Sequence, residues 1–286
     1  MNSDSPTAPS PGAPAAMAPL LAFVGGGNMA SAILGGLIAA GHPADRVVVV
    51  EPYAAQADVV RRTFGVRVEA AGGAALAGAD IVVWAVKPQV FGEAAAPCAP
   101  FMGDTLHLSV MAGIRSDAIA RATGSERVVR AMPNTPALIG EGIAGLFARA
   151  AVTPADRAAV ERVLAPTGET LWVANEHDLD AVTALSGSGP AYVFFFLEAM
   201  TQAAAEMGLD AKQGRRLALA TFKGATSLAR ASDDTPETLR SRVTSKGGTT
   251  YAAITAMETA GVKPAIVAAL RAAQARANEL GDEFGG

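Results

Sequence analysis

The chain has 286 residues, enough for one large domain or two ordinary ones, and its 50% hydrophobic content is sufficient for a sizeable core. A formal net charge of −4, with no basic cluster, argues against a nucleic-acid partner. A single cysteine and three histidines exclude an internal disulfide and argue against a metal site.

The first 19 residues are rich in Pro, Ala and Ser, which predicts a disordered tail over residues 1–19. This stretch lacks the basic start and the apolar run of a secretory signal. The rest of the sequence shows no uncharged apolar window of about 20 residues. We therefore expect a cytoplasmic protein without a membrane partner.

Between residues 20 and 174, short β-branched apolar segments alternate with helical patterns. This alternation predicts a doubly wound α/β domain with a parallel sheet covered on both faces. The predicted strands are residues 20–24, 46–50, 81–86, 105–110, 127–132, 143–147 and 170–174.

The strand signals stop after about residue 175, and the sequence predicts an all-α domain over residues 175–286. The predicted helices are residues 176–185, 190–207, 211–231, 235–243, 249–259 and 263–281. Apolar stretches at 192–200 and 265–275 exceed what one layer of helices can bury. We therefore expect an obligate dimer, at least, with a large apolar interface.

The glycine turn after the first predicted strand carries the clearest chemical signal. Gly25, Gly27 and Ala30 fit G-x-G-x-x-A, a variant of the dinucleotide fingerprint. The first glycine permits a tight turn, the second lets a pyrophosphate approach the backbone, and the small third residue lets the helix pack on the strand. The N–H groups at the start of that helix would then face the phosphates.

Glu51 follows the second predicted strand, where a carboxylate can accept hydrogen bonds from both ribose hydroxyls of NAD. The same charge would repel the 2′-phosphate of NADP. The alternative is a glutamate that simply faces solvent.

No residue has the pattern of a proton donor for alcohol or ketone chemistry. We interpret His42 and His107 as structural residues, and His177 has no partner motif. Lys223 could mimic the helical lysine of β-hydroxyacid dehydrogenases, but Ser227 stands where such enzymes have asparagine. Reduction of a protonated C=N bond would explain the absence, because an iminium already carries its proton.

The motifs FVGGGNMASAILGGL (from Phe23), AVKPQ (from Ala85), RAMPNTPALIGEG (from Arg130), SGSGPAYVF (from Ser186) and VTSKGGTTYAAI (from Val243) occur in this order. Together they resemble the pyrroline-5-carboxylate reductase family, over nearly the whole chain after the tail. The resemblance implies reduction of 1-pyrroline-5-carboxylate to L-proline by NAD(P)H, the last step of proline synthesis, without a metal. It also implies an N-terminal Rossmann domain, a C-terminal helical domain that forms a dimer, and larger rings such as a decamer.

The resemblance and the residue chemistry together give the expected site. The cofactor-binding residues are Gly25, Gly27, Asn28, Met29, Ala30, Glu51, Ala85, Val86, Lys87, Pro88, Ala112 and Gly113. The substrate-binding residues are Ser186, Ser188, Ser245, Gly247, Gly248, Thr249 and Thr250. The catalytic residues are Thr250, which would orient the imine nitrogen, and Lys87, which would hold an anionic group.

Several of these assignments have a structural alternative. Ser186 and Ser188 either line the pocket or cap the helix that follows, and Thr249 or Thr250 either binds substrate or only caps a helix. Asn134, between two prolines, either braces the site or belongs to a rigid turn. Many relatives have proline where Lys246 stands, which affects the expected shape and charge of that loop.

The competing functions are those of a related imine or β-hydroxyacid reductase and of a non-catalytic dinucleotide-binding module.

Overall fold

The computed structural model describes residues 17–284, so residues 1–16 of the predicted tail lie outside it. Within the described chain one eight-stranded sheet has the order β3-β2-β1-β4-β5-β6-β7-β8. The strands are β1 (Leu21–Val24), β2 (Val47–Val50), β3 (Arg67–Glu69), β4 (Ile81–Trp84), β5 (Leu106–Ser109), β6 (Val128–Met132), β7 (Gly142–Ala148) and β8 (Gly168–Trp172).

The central strands are apolar along their whole length because both faces of the sheet are covered. In β1, Leu21 and Phe23 belong to one buried cluster, and Ala22 and Val24 belong to another. Alternate side chains of one strand thus serve two separate cores, one on each face. This arrangement confirms the α/β domain predicted from the sequence.

Two features of the sheet differ from the prediction. β3 is an additional edge strand, which the sequence hides because it has three residues, two of them charged. β7 runs antiparallel to β6, and β8 runs parallel to β7. The chain between β6 and β7 is too short for a crossover helix, so β7 pairs with β6 by turning back on it.

The order of the strands creates a switch point between β1 and β4. From β1 the chain moves outward to β2 and β3, and it then returns to place β4 on the other side of β1. Loops that follow β1 and β4 therefore diverge at the carboxyl edge of the sheet. Open α/β sheets bind ligands in the crevice that forms at such a point.

Eleven α-helices complete the described part of the chain. They are α1 (Asn28–Ala39), α2 (Ala54–Phe64), α3 (Phe91–Ala95), α4 (Ser116–Thr123), α5 (Pro154–Leu164), α6 (Asp178–Val182), α7 (Gly189–Glu206), α8 (Ala211–Arg230), α9 (Pro236–Arg242), α10 (Thr249–Thr259) and α11 (Val262–Phe284). The predicted helix 176–185 is α6 followed by a π-helical turn, Thr183–Gly187. The turn is closed by the bond from Ser188 N–H to Thr183 O, 2.9 Å long.

The helices after β8 leave much of their apolar surface uncovered in one chain. Phe195 is 70% exposed, and Phe194, Leu217 and Leu228 are more than half exposed. α10 continues into α11 with a bend of 53°, so the two do not fold back into a hairpin. In residues 17–284 no single helix meets the length and hydropathy expected of a membrane span; the bent α10–α11 pair meets them by length and composition alone.

Cys98 and His107 are buried groups of the sheet domain whose pKa values are displaced. Cys98 packs against Gly72 and is fully buried, and burial raises the pKa of its thiol to about 11. His107 in β5 accepts a hydrogen bond from Trp84 Nε1 at 3.0 Å, and burial, with a smaller effect of Arg127, lowers its pKa to about 4. Its burial and this bond agree with a structural role for His107.

Candidate functional site

The turn after β1 is so tight that only glycine fits its first position. Gly25 has φ +101°, and a Cβ added there would lie 2.6 Å from the carbonyl oxygen of Ala85. Gly25 N–H donates to Val50 O at 2.9 Å, so the turn is joined to the end of β2 as well as to the end of β4. The glycine turn is therefore built into the switch point of the sheet.

α1 begins directly after this turn with its first N–H groups uncapped. Its N-cap residue, Gly27, provides no side-chain hydrogen bond, and a Cβ added at Gly27 would have open space around it. The first intrahelical bond is from Ser31 N–H to Gly27 O, which leaves the N–H groups of Asn28, Met29 and Ala30 at the helix start. An exposed backbone, free donors and a buried Ala30 fit a pyrophosphate group.

Glu51 lies against the glycine turn rather than in solvent. Its side chain accepts hydrogen bonds from Gly26 N–H at 2.9 Å and from Tyr53 N–H at 3.0 Å, and the residue is only 6% exposed. Gln56 Nε2 donates to the carbonyl oxygen of Gly26 at 2.5 Å. The backbone N–H and the backbone carbonyl of Gly26 are thus both hydrogen-bonded to side chains. The sequence pattern does not reveal these two bonds. The ribose contact of Glu51 stays a prediction.

The loops after β4 and β5 supply the next predicted residues at the same edge of the sheet. Ala85 and Val86 are half-buried, Pro88 begins a 3-10 turn, and Lys87 is exposed. Ala112 is exposed and precedes Gly113, where an added Cβ would lie 3.2 Å from Leu280 O of α11. The carboxyl end of α11 therefore packs on the loop after β5.

A set of charged residues that the sequence analysis did not identify joins this loop to the helical domain. Arg115 Nη1 binds Asp180 in α6 at 3.0 Å. Glu176 accepts from Ser116 N–H at 2.6 Å and from Arg130 Nη1 at 2.8 Å. Burial alone would raise the pKa of Glu176, but the hydrogen bonds from Ser116 and Arg130 outweigh burial and lower it. No spacing rule connects these residues, which are brought together by the fold.

Asn134 lies at the junction between the sheet and the helical domain. Its Nδ2 donates to Ser186 Oγ at 3.2 Å, and its Oδ1 accepts from Ile143 N–H at 3.0 Å. Ser186 lies in the π-helical turn, and a Cβ added at Gly187 would lie 2.6 Å from Met132 Cε at the end of β6. Ser188 is the N-cap residue of α7 but makes no side-chain cap bond. The SGSG segment therefore lies beside the carboxyl edge of the sheet.

The second predicted glycine loop lies apart from these residues in one chain. Ser245, Gly247, Thr249 and Thr250 are exposed, Gly248 is half-buried, and the N-cap residue Gly248 provides no side-chain bond to α10. The helix lengths and the 53° bend place Thr250 roughly 40 Å from Leu280, at a rise of about 1.5 Å per residue. Thus one chain does not bring Thr250 together with Gly113.

The residues considered for other chemistry lie elsewhere. His177 is 83% exposed in its side chain, with Asp180 at 3.9 Å, and Lys223 is exposed on α8 beside Gly140 and Glu169. Over residues 17–284, no group of three His, Cys, Asp or Glu residues could hold a metal ion.

Two family models match two different parts of the chain. Residues 176–280 match the family described as pyrroline-5-carboxylate reductase dimerisation. Residues 20–113 match the family described as NADP oxidoreductase, coenzyme F420-dependent.

Full-length relatives cover nearly the whole chain. A pyrroline-5-carboxylate reductase of Pseudomonas aeruginosa is 41% identical over 269 residues, which is 93% of this chain and 98% of that protein. The solved reductase of Coxiella burnetii has a TM-score of 0.85 at 34% identity and covers 92% of this chain and 98% of its own. The Plasmodium falciparum pyrroline carboxylate reductase, solved with NADP bound, has a TM-score of 0.83 at 28% identity and covers 93% and 99%. With the glycine turn at the switch point and the helical dimerisation region both matched, the chain belongs to the pyrroline-5-carboxylate reductase family.

Proposed function

We propose that this protein reduces 1-pyrroline-5-carboxylate to L-proline in a site that two copies of the chain share. The observation that carries the shared site is the separation of roughly 40 Å between Thr250 and Leu280. Family membership supports the reaction, and the exposed apolar helices support the dimer. We expect these dimers to form larger rings, up to a decamer, in the cytoplasm.

One chain of the pair would hold the cofactor, which when bound supplies the hydride. The N–H groups that start α1 would bind the pyrophosphate, and Gly25 keeps the turn close to Ala85. Ala112, small and exposed at the end of β5, would leave room for the cofactor, and Gly113 beside it lets α11 pack closely. Lys87, exposed at the same edge, would hold an anionic group of the cofactor or the substrate.

The substrate would lie between Ser186 and Ser188 of this chain and the second glycine loop of the partner subunit. Gly247 and Gly248 of the partner subunit would offer N–H groups to the carboxylate, together with Ser245 and Thr249 of the partner subunit. Thr250 of the partner subunit would orient the imine nitrogen. A threonine hydroxyl is a weak acid, and the substrate iminium already carries its proton, so no titrating side chain is required.

The first test is turnover. The purified protein should oxidise NADH or NADPH when given 1-pyrroline-5-carboxylate, and it should not reduce 2-keto acids, because no histidine lies in the site to protonate them. Thr250→Ala should lower kcat/KM by about 5–150-fold, the equivalent of one neutral hydrogen bond in the transition state, about 1–3 kcal/mol. Cofactor affinity should stay the same. Thr259→Ala, at the other end of α10, is the matched control, and equal effects of the two changes would argue against the role of Thr250.

The second test separates a shared site from a site within one chain. Gly25→Ala should abolish cofactor binding, because the added Cβ would collide with Ala85 O. A loop variant with Gly247→Val and Thr250→Ala should bind cofactor but not substrate; Gly247 has φ +78°, where valine is strained. When the two variants are dissociated and reassembled in equal amounts, half of the dimers are mixed and carry one intact site, which gives about one quarter of wild-type activity. No recovery would contradict the shared site.

A further inference from the structure

The hydrogen bonds of Asn134 fix which way its amide faces. Ile143 N–H can only donate, so the atom of Asn134 that it binds at 3.0 Å is the carbonyl oxygen. The NH₂ group then faces Ser186, 3.2 Å from Oγ. An amide NH₂ can only donate, so Ser186 Oγ must accept. The backbone of β7 thereby determines the polarity of a contact in the helical domain.

Because Ser186 Oγ accepts from Asn134, the hydroxyl proton of Ser186 can be donated to another group. An oxygen that already accepts from Asn134 does not need its own proton for that contact. In residues 17–284 no hydrogen bond uses the Ser186 hydroxyl as a donor. Ser186 is half-buried and is not sealed inside the core.

The segment that carries Ser186 is held in place from both sides. Tyr192 Oη in α7 donates to the carbonyl oxygen of Ala184 at 3.0 Å, which satisfies one acceptor of the π-helical turn. Met132, at the end of β6, packs against Gly187. The 3-10 helix Thr135–Ile139, for which Asn134 is the N-cap residue, packs on α1. Asn134 therefore connects the helix expected to hold the cofactor with the segment expected to hold the substrate.

We propose that Asn134 is a positioning residue that makes the Ser186 hydroxyl a hydrogen-bond donor to one carboxylate oxygen of the substrate. This inference rests on the proposed function, in which Ser186 binds substrate. A carboxylate accepts several hydrogen bonds, so the second oxygen remains for the glycine loop of the partner subunit. Asn134 contributes to substrate affinity through Ser186 and does not touch the substrate itself.

The experiment is a double-mutant cycle on Asn134→Asp and Ser186→Ala, with kcat and KM measured for 1-pyrroline-5-carboxylate. Asn134→Asp keeps the shape and the acceptor for Ile143 N–H, but it replaces the NH₂ donor by an acceptor that takes the Ser186 proton. Each single variant should raise the substrate KM about 10-fold, with kcat within about twofold of wild type. In the Ser186→Ala background, Asn134→Asp should raise KM by at most about threefold, which reflects the added charge alone.

Three results would overturn the inference. They are an equal KM increase from Asn134→Asp in both backgrounds, an increase confined to the KM for NAD(P)H, and a decrease in kcat with no change in substrate KM. A wild-type protein that does not reduce 1-pyrroline-5-carboxylate would instead overturn the proposed function, so the two failures are distinguishable.

Ser186→Thr keeps the test decisive if Asn134→Asp does not fold. Threonine retains a hydroxyl that can accept from Asn134 and donate to the substrate, so its substrate KM should stay within about threefold of wild type. A KM as high as that of Ser186→Ala would contradict the inference. Thermal unfolding of each variant separates loss of folding from loss of substrate affinity.

Discussion

The two halves of this chain differ in whether their apolar side chains are buried within the chain. The sheet domain buries its apolar residues within the chain, in two clusters on the faces of the sheet. The helices after β8 contribute few residues to any buried core, and they leave Phe194 and Phe195 largely exposed. The first half therefore has a core of its own, whereas the exposed helices of the second half form the surface that we expect a second copy to cover.

The largest expected effect comes from placing a charge on the exposed helices. Phe195→Asp should weaken dimer formation by about 2–4 kcal/mol, or about 30–1,000-fold in Kd, because an exposed aromatic of the expected apolar interface is lost and a carboxylate would be buried in its place. Light scattering across a dilution series measures the Kd. Activity should fall with the dimer, since we expect each site to use two chains.

Val59→Asp is the matched control for that experiment. Val59 is an exposed apolar residue too, but it lies on α2 of the sheet domain. The dimer should persist in this variant. Equal dissociation of the two variants would mean that the halves do not differ in the way described.

A smaller effect is expected at the junction of the halves. Glu176→Gln removes the charge that pairs with buried Arg130, which should cost about 3 kcal/mol of unfolding free energy. The folded pKa of Glu176 lies below its ordinary value of 4.5, so its stabilisation is present above pH 4.5 and is lost as pH falls through the folded pKa. Urea unfolding as a function of pH measures both effects. Glu258→Gln, in an exposed pair with Arg240, should cost less than about 1 kcal/mol.

His107 gives a comparison within the sheet domain. Its pKa is lowered from 6.5 to about 4, so between these values the unfolded chain binds a proton that the folded chain does not. The contribution of His107 to stability should therefore fall with decreasing pH by up to about 1.4 kcal/mol per pH unit in that window, and this contribution should level off below about pH 4. His107→Gln, which keeps an acceptor for Trp84, should remove this slope. If the variant keeps the same slope of stability against pH, groups other than His107 cause that slope.

The smallest effect concerns the choice of cofactor. We expect wild type to use NADH well, and Glu51→Gln to shift the kcat/KM ratio toward NADPH by about fivefold, or about 1 kcal/mol, because a charge near the 2′-position is removed. Glutamine keeps an oxygen for Gly26 N–H, but its NH₂ group cannot accept the hydrogen bond from Tyr53 N–H. Glu69→Gln, at the end of β3, is the control. If wild type strongly prefers NADPH and the ratio does not change, Glu51 serves the turn and does not discriminate between cofactors.

The sequence could predict what depends on local pattern. The buried strands follow from runs of β-branched residues, and the glycine turn follows from its spacing at the end of β1. Strand β3 could not be predicted from the sequence, because a segment of three residues with charged ends lacks such a pattern. The reversal of β7 depends on the length of the chain before it rather than on the strand itself.

The sequence predicts a set of site residues, but it does not predict how the fold arranges them. Thr250 and Gly113 both belong to the predicted set, yet their separation in one chain follows from the bend between α10 and α11, which no single motif specifies. Glu176 and Arg130 meet across distant parts of the sequence. Arg130 begins one of the recognised motifs, but Glu176 lies in none of them, so no motif specifies the pair. The inward turn of Glu51 likewise depends on the position of Gly26 in the folded chain.

The buried thiol of Cys98 can be used to measure how often the sheet domain opens. A thiol with a pKa of about 11 carries almost no thiolate at neutral pH, and full burial keeps alkylating reagents away from it. Its labelling should therefore proceed through openings of the domain, at a rate set by the free energy of opening. Because it is the single cysteine of the chain, labelling followed by mass spectrometry reads that free energy without any added probe. The same measurement on the Phe195→Asp variant would show directly whether the sheet domain stays closed when its partner is gone.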